Sequence, residues 1–149
     1  MATTLISSNL TNNSTDITNG DEVIIAPGVL IFDENGNVFE LEIGNLPTAL
    51  VNFGTILTGS TSVAPIDLES DTSIVINHGT ISHTPGSPIS NAAIFDLASG
   101  NSSGGAATDT TIVNYGLMES TAGFFAAFSS DGLYNVIIDN SGTIRTNVD

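Results

Sequence analysis

Two aspartates and two histidines are the residues of this sequence whose types and spacing come nearest to chemistry. Asp67 and Asp96 sit in matching pieces, Ile66-Asp67-Leu68 and Phe95-Asp96-Leu97. Two carboxyls held about 6.5–9.5 Å apart can run an inverting hydrolysis, one as acid and one as base. The next copy of the piece, Phe128-Ser129-Ser130, has Ser129 in that place, so the pair reads as solvated surface. A polysaccharide lyase needs Arg or Lys against an enolate-like charge, and Arg145 is the single basic residue of the chain. His78 and His83 have opposite parity along a strand, so they are expected on opposite sides rather than around one metal. Asp33-x-Asn35-x-Asn37 with Glu40 has the outline of a calcium loop. Its Gly36 is fourth and its Glu40 eighth, whereas such a loop needs Gly sixth and a bidentate Glu twelfth. No catalytic residue, no metal site and no required cofactor are expected; calcium enters only as a non-specific counterion of an acidic chain.

The elements that must position these residues follow from composition. Sixteen acidic residues against one basic give a net charge of −15 over 149 residues. Nucleic acid needs Lys and Arg to displace its counterions, and anionic membrane surfaces recruit basic segments, so neither is an expected partner. The absence of Cys excludes disulfides and thiolate chemistry. No apolar run is long enough to insert into a bilayer, and Met1–Thr4 has no basic residue to open a cleaved signal. Thr, Ser and Asn make up a third of the chain. Between them lie short β-branched runs broken by turn residues, which predicts an all-β protein of many short strands.

One unit recurs four times: Leu50-Val51-Asn52-Phe53-Gly54-Thr55-Ile56, Val75 to Ile81, Ile112 to Met118, and Ile138 to Ile144. The Asn-to-Asn steps are 25, 37 and 26 residues, and the long step gains its extra residues at 84–88 and 100–108. Insertions confined to loop-like places, with strand-like pieces in register, are what a solenoid tolerates. Three short strands per unit, stacked at ~4.8 Å, make a parallel β-helix of about four coils over residues 49–149. Alternation sends Leu50, Val75, Ile112 and Ile138 inward, with Ile56, Ile81, Met118 and Ile144 across the bend. Asn52, Asn77, Asn114 and Asn140 then form one structural ladder, each amide donating to the next carbonyl. Gly54, Gly79, Gly116 and Gly142 are expected to serve left-handed backbone at that bend.

The Asn-x-Gly-Thr-Ile unit, with its Ile-Asp-Leu-x-Ser companion, resembles the repeats of secreted bacterial adhesins. Autotransporter passengers and filamentous-haemagglutinin-type proteins are the families it is similar to. The resemblance covers residues 49–149 and implies a right-handed β-helix at or outside a bacterial cell surface, as in an adhesin or biofilm matrix, with the export route open.

Residues 1–48 lack the repeat. Around Asn35-Gly36 they read as a β-hairpin, and the segment is expected to be an N-terminal cap or docking piece. By alternation Val51, Ile76 and Val113 point outward beside Phe53, His78 and Tyr115. This stripe is expected either to lie under residues 1–48, to form a subunit interface, or to serve as a carbohydrate-binding strip. The sequence stops five residues past Ile144, which leaves the last coil unfinished and its strand edges as templates. The expected function is therefore a non-enzymatic structural or adhesive protein, a homo-oligomer or filament built end to end. The competing expectation is a monomeric adhesin or carbohydrate-binding fragment whose glycan or receptor is unidentified.

Overall fold

A computed structural model of the chain describes all residues except 13, 19, 43, 45, 62, 71, 85–92, 97–107, 122–124, 127–133 and 147–149. The companion piece expected at 128–130 and most of both insertions lie outside the described residues, but the register corrects the expected match: Phe95 and Asp96 pair with Phe125 and Ala126, three residues earlier than Phe128 and Ser129. Short strands follow one another in triples. The first six are β1 (Thr3–Ile6), β2 (Leu10–Thr11), β3 (Thr15–Ile17), β4 (Glu22–Ile25), β5 (Leu30–Asp33) and β6 (Phe39–Leu41). Next come β7 (Thr48–Asn52), β8 (Thr55–Thr58), β9 (Ile66–Leu68), β10 (Thr72–Asn77), β11 (Thr80–His83) and β12 (Phe95–Asp96). The last are β13 (Thr108–Asn114), β14 (Leu117–Ser120), β15 (Phe125–Ala126), β16 (Tyr134–Asn140) and β17 (Thr143–Thr146).

Each strand pairs with the strands three before and three after it, giving sheets of six, six and five strands. All the pairings are parallel. Among the described residues there is no helix. Three parallel sheets wound in this order are the arrangement of a parallel β-helix or solenoid.

The reason lies in alternation. β7 and β10 leave every second residue half-buried and bury the rest, so each strand has one side that must be covered. The inward side chains of all three sheets meet in a single core containing Ile25, Leu50, Val75 and Ile112 from the first sheet. Ile31, Ile56, Ile81 and Met118 come from the second sheet. In the third, Phe39, Ile66 and Phe95 are in register and wholly buried.

The hairpin expected at Asn35-Gly36 is not formed. β5 pairs in parallel with β2 and β8, and β6 with β3 and β9, so the two would-be arms belong to different sheets. A two-residue type I′ hairpin needs left-handed backbone at both central residues. Among the described residues only Asn12, Gly20 and Gly28 have it. The Asn35 and Gly36 amides instead donate to Asp33 Oδ1 at 2.8 and 2.7 Å, an aspartate-centred turn that redirects the chain. Residues 1–48 thus contribute β1–β6 to the same three sheets as the rest. Their repeat is hidden because Ile25 pairs with Asn52 and Ile6 pairs with Ile25, so the Asn signature is missing while the register continues.

Candidate functional site

The bend between first and second sheets is built around the asparagines. Asn52, Asn77 and Asn114 end β7, β10 and β13, and all three are fully buried. Nδ2 of Asn52 donates to Oδ1 of Asn77 at 2.8 Å, Asn77 to Asn114 at 2.8 Å, and Asn114 to Asn140 at 2.7 Å. The second amide hydrogen reaches a backbone carbonyl of the following unit: Thr80, Leu117 or Thr143. Oδ1 of Asn52 and of Asn114 also accepts from the amide two residues on, at Gly54 and Gly116. The buried amides are therefore satisfied, as interior polar groups must be.

The glycines serve a different purpose from the expected one. Gly54, Gly79, Gly116 and Gly142 are not among the left-handed residues. They are glycines because the bends stack in contact: a Cβ on Gly79 would run into the Gly54 carbonyl oxygen, one on Gly116 into that of Gly79, and one on Gly142 into that of Gly116. Close approach, not backbone hand, sets the residue type.

Outside the same bend the rings of Phe53, His78 and Tyr115 form a continuous stack. Centroids are 4.7 Å apart with planes 4° from parallel for the first pair, and 4.8 Å and 14° for the second. Phe53 is 41% and Tyr115 52% exposed, so residues 1–48 do not cover them. Two residues upstream, Val51, Ile76 and Val113 are in register and half-buried. Ile24 and Leu5 extend this outward column toward the first strand, and Asp139 ends it beyond Val113. The rings stack on one another, so the ladder presents mainly ring edges to solvent, with a full face only at its two ends.

The third sheet carries the opposite chemistry on its outer side. Asp16, Glu40, Asp67 and Asp96 stand in one register column. Desolvation by burial, then the charges of Glu69, Asp96 and Glu40, push the Asp67 carboxyl up to about 7, while a hydrogen bond from Asn37 opposes them. Asn37 Nδ2 donates to Asp67 Oδ2 at 3.1 Å, while Oδ1 is buried without a partner. Glu69 is also raised, first by burial and then by Glu40. Asp67 therefore takes up its proton near neutral pH. Among the described residues no group of three or more His, Asp or Glu is placed to hold a metal ion. Of the calcium-like outline, Asp33 is committed to its turn and Asn37 to Asp67.

The histidines part company as parity requires. His78 is exposed in the ring stack, whereas His83 is wholly buried. His83 Nε2 lies 2.8 Å from the Ser60 carbonyl oxygen, which can only accept. The hydrogen is therefore on Nε2, and Nδ1, 3.3 Å from Ser120 Oγ, accepts from that hydroxyl. Burial lowers the His83 pKa. A hollow of about 160 Å³ beside it is lined by Thr84, Glu119, Ser120, Thr121 and Arg145 as well. Sequence reasoning missed the extension of the acid column to Glu40 and Asp16, because β6 was read as a hairpin arm. The parity of Phe39-Glu40-Leu41, apolar on either side of an acid, carried the signal.

Compared with models of protein families, with curated proteins and with solved structures, the chain finds no match.

Proposed function

We propose that this chain is a non-enzymatic structural or adhesive protein of the cell surface or extracellular matrix. In this reading it is a right-handed β-helix that assembles head to tail. The observation that supports it is the asparagine row, in which one and the same side-chain bond joins each unit to the next, Asn52 to Asn77, Asn77 to Asn114 and Asn114 to Asn140. A unit supplied by another copy would extend the stack through the same contacts. A head-to-tail contact of this kind does not close and generates a filament. Repulsion between subunits of charge −15 opposes it, so assembly strengthens with salt.

The test is the mass in solution at two protein concentrations and two salt concentrations, with negative-stain imaging. Filaments that lengthen with concentration and salt support the reading. A monomer under all four conditions overturns it in favour of a monomeric adhesin.

A further inference from the structure

The ring stack and the apolar column beside it are two parallel ridges. The apolar column lies on the outer face of the first sheet and the rings stand just past the strand ends, two residues further on at the bend, and between them the buried asparagines leave only backbone. The result is a straight groove that crosses the strands, walled by Val51, Ile76 and Val113 on one side and Phe53, His78 and Tyr115 on the other. Ring centroids recur at 4.7 and 4.8 Å, so the aromatic wall runs roughly 10 Å between its outer rings. Beyond Tyr115 the next bend holds Ser141, too small to stack, so the far face of the Tyr115 ring is open. Asp139, exposed, stands one strand beyond Val113 at the same end of the groove.

We infer that this groove binds a flat, elongated aromatic cation, lying across the strands with its charged end between Asp139 and the open face of Tyr115. Shape selects an elongated, planar ligand, because the apolar column and the ring stack run side by side across the strands with only backbone between them. Charge selects a cation: the groove ends at a carboxylate, Glu22 and Asp109 stand on the same outer face, and the chain carries −15. An aromatic face within about 6 Å of the cation adds its own attraction. A second copy fits less well. The outer face of six strands spans roughly 400 Å², about half of the ~800 Å² per partner of a stable complex, and brings −15 against −15. The inference is independent of filament formation.

Thioflavin T, a benzothiazolium cation, is the probe. With protein that passes a high-speed spin, the expected result is a saturable fluorescence rise at one dye per chain. Asp139→Asn weakens it at least fivefold and removes most of its salt dependence, and the uncharged analogue lacking the ring N-methyl group binds as weakly to wild type as the cation does to that variant. Ile76→Lys, which puts an ammonium in the groove, abolishes the rise while far-UV circular dichroism stays that of wild type. His78→Ala serves if the lysine variant does not fold. No rise, a rise confined to sedimented material, or equal binding by wild type and Asp139→Asn overturns the proposal.

Discussion

Replacing Gly79 by alanine asks the two central bends to share space that only a hydrogen now occupies. The new Cβ would overlap the Gly54 carbonyl oxygen and stand 2.9 Å from the Phe53 carbonyl carbon. Both obstacles are backbone, so no rotamer change relieves them. The bends must separate, and the bonds that hold them are the ones at risk: His78 N–H to Asn52 O at 2.8 Å, Gly79 N–H to the same oxygen at 3.1 Å, and Asn52 to Asn77 at 2.8 Å. Overpacking costs ~1–3 kcal/mol, and weakening two or three hydrogen bonds worth ~1 kcal/mol each brings the total to ~3–5 kcal/mol. For a chain of this length that corresponds to a fall in Tm of roughly 10 °C, at ~2–4 °C per kcal/mol. Gly28 is the control. Its φ is +78° with nothing within 4 Å of an added Cβ, so Gly28→Ala carries only the left-handed cost of ~1–2 kcal/mol. Urea unfolding of the two variants, followed by circular dichroism, compares them directly. If Gly28→Ala proves the more damaging, or Gly79→Ala unfolds within 0.5 kcal/mol (an arbitrary margin of roughly the measurement error) of wild type, the close-contact explanation fails.

Asn77→Ala removes both a donor and an acceptor from a buried row and is expected to cost ~1–3 kcal/mol; a melting curve matching wild type would contradict the ladder. Asp67, with a folded pKa raised to about 7 from 3.8, binds its proton more tightly folded than unfolded. Stability from this group is therefore full at acid pH and declines as pH rises from about 4 through 7. Fully expressed the displacement is worth about 4 kcal/mol, which solvent screening at a part-exposed carboxyl brings to ~1–2 kcal/mol. Asp67→Asn should flatten the decline between pH 5 and 8 in urea titrations, and an unchanged slope would count against it. His83 works in the opposite sense: its lowered folded pKa makes protonation below 6.5 favour the unfolded chain, so His83→Gln should recover stability at pH 5 relative to pH 7, and a variant with the wild-type ratio would argue against a neutral buried ring. A broad-specificity protease should leave Leu50–Ile56 and Ile112–Met118 uncut, whereas early cleavage within either would contradict paired strands there.

Much of the fold from residue 49 onward is legible because a single chemical device, Asn followed two residues later by Gly, marks equivalent places along the chain. Once Asn52, Asn77, Asn114 and Asn140 are aligned, strand parity assigns inward and outward residues without further information. Residues 1–48 defeat that device. Ile6 and Ile25 fill the same inward place with an apolar side chain, which packs as well but leaves no mark. Meanwhile Asn35-Gly36 supplies a strong local turn signal that tertiary pairing overrides, since Ile31 and Phe39 must bury themselves in different sheets. The glycine column is readable as a position and not as a reason, because contact between residues 25 apart in sequence has no local trace. The stacking of His78 between Phe53 and Tyr115 follows from the register, but the charge balance of the third sheet needed β6 in place before Glu40 could join Asp67 and Asp96.

The asparagine row also has a sense of direction. Every inter-unit amide bond from Asn52 to Asn140 points the same way along the stack, donor on the earlier unit and acceptor on the later. Chains of hydrogen bonds aligned in this manner polarise one another, and the row gains a small axial dipole, as a helix does from its peptide units. The two extremities are thus unlike: among the described residues Asn52 Oδ1 accepts from no other asparagine, and the Asn140 amide donates to none. A unit transplanted with its order intact can join the row anywhere, but one inserted in reverse would set amide against amide. The interior of this solenoid is in that respect a one-way thread, and rearrangements of its units are constrained by polarity as well as by shape.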